Sequence, residues 1–277
     1  MTASATAEAR AFRAMHHGRD ADAPLVLPGP WDAGSARAFA DAGFPALATP
    51  SAGVSASLGY QDGRIPAGEM FAAVARIVRA VEVPVSADLE SGYGLDAKEL
   101  VERLLETGAV GCNLEDSDPL TKRLADPREQ ADRLAAIRAE AGDGLVINAR
   151  IDTFVHGDSA QGEAGSAQGG ARSTQAGSGL GDSERAAEAA IERGRAYAAA
   201  GADCVYPIFA PPELLPRLAA AIGVPVNAAA FAADGPSPAE LGRLGAARVT
   251  FGPRLFRATM AAARELAQQL GPAPSAP

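Results

Sequence analysis

Apolar residues along the chain gather into short continuous runs, separated by longer stretches in which they recur at helical spacing. One junction repeats: a helical stretch ends in Gly, one or two small residues follow, and an apolar run begins. Its copies are DAGFPALAT (41–49), ETGAVGCNLED (106–116), AAGADCVYPI (199–208) and RLGAARVTFG (243–252). Gly43, Gly108, Gly201 and Gly245 are the residues expected to close helices in the left-handed conformation, and the runs after them read as strands buried on both faces. Val-Pro-Val at 83–85 and again at 224–226 marks two further strand starts, where proline is tolerated. The runs at 25–27 and 145–150 complete eight strands. Between them, 69–81, 98–105 and 184–200 are amphipathic and predict helices. Regular alternation of strand and helix predicts an α/β fold with parallel strands. Eight units fit a (β/α)8 TIM barrel, forming one domain over 1–277, better than an open doubly wound sheet.

The rhythm breaks once. Segment 156–183 is almost all Gly, Ala, Ser, Gln and isolated charges, with Leu180 as its bulky aliphatic residue, and cannot bury enough surface to offset its ordering entropy. It is expected to be a flexible insert, serving as a linker or as a lid over the face where barrel active sites lie. Residues after about 270 read as a disordered tail. The GSGLG fragment around Gly179 lacks the preceding strand that a phosphate loop needs.

Composition narrows the function. A formal charge of −9 and a pI near 4.9 oppose a phosphate-backbone footprint, so no nucleic-acid partner is expected. Cys112 and Cys204 are the two cysteines, each inside an apolar run. That excludes a disulfide scaffold and a cysteine-based zinc site, and favours a reduced, cytoplasmic setting. Residues 1–15 lack the layout of a signal peptide, and every apolar run is interrupted before the length a bilayer demands. His16 and His17 lie outside all strand-end motifs and are expected to be solvated.

In a barrel of this kind, polar residues without a packing role collect at the C-terminal strand ends. Strand two ends in Thr49, Pro50 and Ser51, with a small-residue loop running on to Asp62. Strand three ends in Asp88 and Glu90, strand four in Glu115 and Asp116, and strand five in Arg150 and Asp152. Carboxylates gathered there call for a hard cation. Mg2+, with Mn2+ as its substitute, favours oxygen ligands and keeps waters that neighbouring carboxylates hold. Asp88 and Glu90, two apart, would point the same way from an extended backbone.

The motifs WDAGSARAFADAGF (31–44), LGYQDG (58–63), ADLESGYG (87–94), NLEDS (113–117) and NARIDTF (148–154) resemble, in order, those of the isocitrate lyase and phosphoenolpyruvate mutase superfamily. The resemblance spans about residues 31–257. It implies a (β/α)8 barrel, a homo-oligomer (tetramer or dimer) with helix exchange between subunits, and Mg2+ chemistry on small 2-oxo or 2-hydroxy carboxylates. Carried over by motif, Asp88 is the direct metal ligand, while Asp62, Glu90 and Glu115 hold metal-bound waters. Glu90 stands where many members have Asp. Ser51, Ala52 and Gly53 resemble the loop that binds the substrate carboxylate, and Arg150 the cation that clamps the other acidic end. Asn227, directly after the second Val-Pro-Val, joins them as a substrate-binding candidate. Pro50 occupies a position where a hydroxyl residue is common.

The departure follows Glu115. The lyases of this superfamily carry a Lys-Lys-Cys-Gly-His type loop, and the phosphonate-processing branch a Pro-Lys-x-Asn-Ser type loop; this chain has DSDPLTKRLADP. Cys112 precedes Glu115 within a buried-type strand and cannot replace the loop cysteine. Arg150, Glu115, Thr121 and Lys122 are therefore the catalytic candidates, with 118–123 as the element that closes over substrate. These residues imply a lyase or decarboxylase that breaks a carbon–carbon bond in a small carboxylate by way of an enolate. Phosphorus–carbon chemistry like that of a mutase or phosphonopyruvate hydrolase is the alternative. A non-catalytic binding protein on the same barrel is a third reading.

Overall fold

The helices start and stop where the sequence supplies caps. The computed structural model describes residues 3–118, 121, 123–156 and 180–271. In chain order the elements are α1 (Ala3–Ala14), β1 (Leu25–Leu27), α2 (Ala33–Asp41), β2 (Leu47–Ala48), α3 (Ser51–Ser57), α4 (Ala67–Val78), β3 (Val85–Asp88), α5 (Ala97–Thr107), β4 (Gly111–Glu115) and α6 (Pro127–Ala141). They continue with β5 (Val146–Ile151), α7 (Thr153–His156), α8 (Leu180–Ala199), β6 (Cys204–Pro207), α9 (Leu215–Ile222), β7 (Asn227–Ala229), α10 (Pro238–Arg243), β8 (Arg248–Thr250) and α11 (Arg254–Leu270). Asp96 caps α5 by accepting from the Glu99 amide at 2.8 Å, and Asp126 caps α6, where Pro127 takes the first turn. Each satisfies an amide that the helix itself leaves unpaired. At the junctions Gly43, Gly108, Gly201 and Gly245 all have positive φ (88°, 82°, 98° and 105°), as expected for residues that reverse the chain out of a helix.

All pairings between these strands are parallel. They form a five-stranded sheet ordered β2-β3-β4-β5-β6 and a three-stranded sheet ordered β1-β8-β7. The expected single ring of strands is thus seen as two arcs. Where they meet, the Val205 amide donates to the Pro225 carbonyl at 3.0 Å and the Ala48 amide to the Pro28 carbonyl at 3.1 Å. Pro28 and Pro225 have no N–H to extend a ladder, so pairing at both meeting points stops at isolated bonds.

Helices cover the outer face. On α4 the buried residues Met70, Phe71, Val74 and Ile77 follow one helical stripe and pack with Leu47, Val85, Leu100 and Leu104 in the main core. Full burial of each large side chain stabilises by about 1.5–3 kcal/mol. A second cluster joins Ala9 and Phe12 of α1 to Leu25, Leu27, Val110 and Val146. Gly111 makes room for it, since a Cβ there would lie 3.0 Å from the Phe12 ring.

His16, expected in solvent, is buried at 3% exposure beside that cluster, edge-on to Phe12. Its Nδ1 lies 2.9 Å from the Phe12 carbonyl. The helix turn that carries Phe12 inward carries the residue four positions on with it. Burial, reinforced by the positive charge of Arg248, lowers the imidazole pKa to about 4, against weaker opposition from the Phe12 carbonyl and Asp203. The folded value lies below the ordinary 6.5, so the neutral ring contributes full stability above pH 6.5, and that contribution is lost as pH falls toward 4. The gap corresponds to about 3 kcal/mol. We expect His16→Phe to flatten the fall in the urea midpoint between pH 7 and 4. An unchanged profile would refute the buried neutral imidazole.

Residues 157–179 of the expected insert lie outside the described residues. The far boundary moves, because 180–183 already form the first turn of α8, where Asp182 complements the helix N-terminus. Residues 272–277 of the expected tail also lie outside. Among the described residues no helix is long and apolar enough to cross a membrane.

Candidate active site

The C-terminal ends of β3, β4 and β5 bring the predicted acids together. Asp88 ends β3 half-buried, its backbone amide donating to Thr49 Oγ1 at 3.1 Å. Its Oδ2 accepts from the Ser51 amide at 3.0 Å, and its Oδ1 from Asn113 Nδ2 at 2.9 Å. Asn113 Oδ1 in turn accepts from Asn148 Nδ2 at 2.9 Å. A row of amides across three strands therefore holds the Asp88 carboxylate in one orientation. Neither asparagine was singled out in the sequence, although both lie inside the quoted motifs and their shared inward register was the available signal.

Glu90 is not in extended backbone. The strand stops at Asp88, and Glu90 adopts φ 52° in the turn that the Gly92 amide closes on the Leu89 carbonyl at 2.8 Å. Simple alternation therefore does not explain how Glu90 reaches the site; a left-handed turn does. Tyr93, also left-handed at φ 58°, was missed. Its hydroxyl is buried without a hydrogen-bond partner among the described residues. Burial first, then the fields of Glu90, Asp88, Glu115 and Asp62, hold the phenol well above its ordinary pKa. Those four carboxylates are the acids expected to serve a metal, and they act on one hydroxyl. Asp62 itself is exposed in the turn after α3.

Glu115 ends β4 and Arg150 lies near the end of β5, facing each other in register. Arg150 Nη1 is 2.7 Å from Glu115 Oε2, and Arg150 Nε donates to Asp152 Oδ1 at 2.6 Å. Burial raises the Glu115 pKa to about 8, against the pull of Arg150 and with support from Asp152, Asp88 and Glu90. Asp152 also accepts from the Ser117 hydroxyl. Asp116, by contrast, points away into a buried network. It accepts from Arg193 Nη1 at 2.9 Å, Tyr197 OH at 2.8 Å and the Asp152 amide at 2.8 Å.

Ser51, Ala52 and Gly53 form the first turn of α3 rather than an open loop, with Pro50 at its cap. Gly53 is required by close approach, because a Cβ would fall 2.9 Å from Pro50 Cγ. Asn227, at the start of β7, is buried; its Oδ1 accepts from Thr250 Oγ1 at 3.3 Å. Thr121 is exposed, its amide donating to Asp118 Oδ1 at 2.7 Å. Lys122 lies outside the described residues. The base of this loop is closed by the Ala125 amide on the Asp116 carbonyl at 2.7 Å and the Asp118 amide on the Arg123 carbonyl at 3.1 Å. Both cysteines are buried within strands, and burial pushes each thiol up to about 12.

Among the described residues no three His, Cys, Asp or Glu side chains converge into a complete metal cage. The donor set is nonetheless all oxygen. Mg2+ takes one or two carboxylates and completes its shell with water, so Asp88 and its acidic neighbours are the residues that would hold it.

The profile of the phosphoenolpyruvate phosphomutase family matches residues 12–271. A solved structure from Burkholderia cenocepacia J2315, described as a proposed phosphonomutase, is 38% identical with a TM-score of 0.81, over 96% of this chain and 100% of that one. Uncharacterized protein Rv1998c of Mycobacterium tuberculosis H37Rv is 31% identical over 93% of this chain and 87% of its own length. The structure of 2,3-dimethylmalate lyase is 26% identical with a TM-score of 0.74, over 98% of this chain and 88% of that one.

Proposed function

The chain belongs to the phosphoenolpyruvate phosphomutase family, within the isocitrate lyase and PEP mutase superfamily, and on that premise we propose that it is a lyase or decarboxylase. Its substrate is a small 2-oxo or 2-hydroxy carboxylate. In a 2-oxo acid the bond broken is that between C3 and a carboxyl group, which leaves as CO2 and gives the C2–C3 enolate. In a 2-hydroxy acid it is C2–C3, the hydroxyl proton passing to a base, C2 leaving as a carbonyl and C3, next to its own carboxylate, as the enolate. Protonation of the enolate carbon completes either reaction. We also read the two arcs of strands as one (β/α)8 barrel, on the two bonds that join them. The observation that carries the reaction is the meeting of Asp88, Glu115 and Arg150 at three adjacent strand ends.

Asp88 would hold Mg2+, with Asp62, Glu90 and Glu115 around its waters; the ion would supply Lewis-acid polarisation of the substrate oxygen. Arg150 offers its fork to a substrate carboxylate, oriented by Asp152 on its inner edge. Glu115, which burial holds above the ordinary carboxylate range, is placed beside Arg150 to exchange a proton with the substrate. The cysteines take no part, because buried thiols this weakly acidic are poor proton donors and lie inside strands. The two free thiols also fit a cytoplasmic setting.

The test is a screen of 2-oxo, 2-hydroxy and phosphono acids with and without Mg2+, products followed by NMR. Metal-dependent cleavage of a carbon–carbon substrate is the expected result. Cleavage confined to a phosphono acid would instead establish phosphorus–carbon chemistry, the reading favoured by the similarity to the Burkholderia protein. Oxalate binding without turnover of any acid would leave a binding protein.

The oligomer is the second part of this reading. No residue of α11 is buried, yet Leu255, Phe256, Met260, Ala263, Leu266 and Leu270 recur at helical spacing along it, Leu266 and Leu270 at 60% and 87% exposure. Leu255 and Phe256 pack against the core, Phe256 edge-on to Trp31. Beyond them Leu266 and Leu270 stay exposed among the described residues, and an apolar stripe left open in this way is completed by another copy. Deleting residues 258–277 is expected to convert a dimer or tetramer into monomers in sedimentation. An unchanged mass would refute the role of α11.

A further inference from the structure

Arg248 begins β8 and is the largest fully buried side chain among the described residues, at 1% exposure. Its Nε and Nη1 have no hydrogen-bond partner there. Arg248 and Thr250, two apart in a strand, share a face. Thr250 Oγ1 bonds to Asn227 Oδ1, and Asn227 pairs with Arg248 in register, so all three side chains lie on the inner face of the sheet. The Asn227 Nδ2 donor is also buried and unpaired, as is Ser86 Oγ.

The charge of Arg248 is not answered by its surroundings. Guanidinium keeps its proton in proteins, and burying such a charge unpaired is among the most costly arrangements in a fold. The groups whose fields act on it most are Cys204, Tyr206 and Cys112, followed by Asp88. The two thiols and the phenol are held neutral by burial, and His16, on the other side, is neutral as well. Asp88 gives its oxygens to Ser51 and Asn113.

We propose that the inner face of β7 and β8 binds a small inorganic anion of the halide class, held by Arg248 Nε and Nη1 with Asn227 Nδ2. The site lies at the first residues of both strands, and the proposal stands whether or not the catalytic reading does. One unpaired acceptor, His16 Nε2, on a ring that feels the charge of Arg248, suits water in the anion's shell.

The test begins with the unaltered protein, unfolded and refolded in sodium bromide so that exchange into an enclosed site is not limiting, then crystallised in the same salt. An anomalous difference peak within about 3.5 Å of Arg248 Nη1 or Nε is expected. In parallel, Tm at constant ionic strength should rise when chloride replaces gluconate, and Arg248→Met should abolish that rise. Water alone at Arg248, with no anomalous signal, overturns the proposal, as does bromide found only at surface positions. If Arg248→Met fails to fold, the anomalous map and the chloride dependence of the unaltered protein still decide the matter.

Discussion

Asp88→Ala is expected to abolish detectable Mg2+ binding in calorimetry and to lower kcat/KM by at least about 10²–10³-fold, the loss typical of removing one preorganised electrostatic group from an active site. The fold should survive. Asp88 ends a strand half-buried, and its partners are the Ser51 amide and Asn113 Nδ2, both next to the open end of the sheet where water can replace a lost acceptor. The cost to stability is expected to stay within about 1–3 kcal/mol. Asp88→Asn is the control: it keeps the shape and one acceptor, and should be nearly as stable as the parent yet equally weak for Mg2+. Undiminished Mg2+ affinity in either variant, with an intact circular dichroism spectrum, would remove Asp88 from the metal site.

The largest effect on stability is expected from Asp116→Ala. This carboxylate is fully buried and accepts from Arg193, Tyr197 and the Asp152 amide, so its removal strands a guanidinium and two further donors. Breaking a buried pair by deleting one partner costs about 3–5 kcal/mol. Arg193 also donates to the Ala125 carbonyl at 2.9 Å, so the loop that begins at Asp116 should loosen at its far end. Urea unfolding would register the change as a lower midpoint. Arg193→Met in the same chain should recover part of it, because both charges then leave together. A loss below about 1 kcal/mol for Asp116→Ala would show that the network contributes little.

These two aspartates mark how far the sequence could be read. Asp88 stands out in the sequence by its place between a buried-type run and a Gly-Tyr-Gly turn, which puts it at a strand end, while its carboxylate is oriented by Ser51 and Asn113 from neighbouring elements. Asp116 carried the same signal, a carboxylate at a strand end, but its side-chain partners Arg193 and Tyr197 come from α8, about 80 residues on. Glu90 was expected in the site for a reason that does not hold, since the backbone turns left-handed immediately after Asp88. The small-residue stretch after Pro50 was expected as a loop and folds as α3, because its residues are small enough to pack close against Pro50 and Phe256.

The order and kind of the elements were legible in the chain because helix caps, closing glycines and apolar runs act over a few residues, and their physics is complete within that span. The gathering of acids at strand ends followed from the same alternation, since parallel strands must all end on one face. Tertiary structure alone decided which polar side chains turn inward and what they meet there. His16 is buried because Phe12 carries its helix under the sheet, and Tyr93 becomes part of the site because its buried hydroxyl feels the fields of carboxylates from three parts of the chain. Arg248 is enclosed because β8 lies between β1 and β7. Burial and charge pairing depend on groups brought together from distant parts of the chain, and a linear pattern of residue types carries no record of those distances.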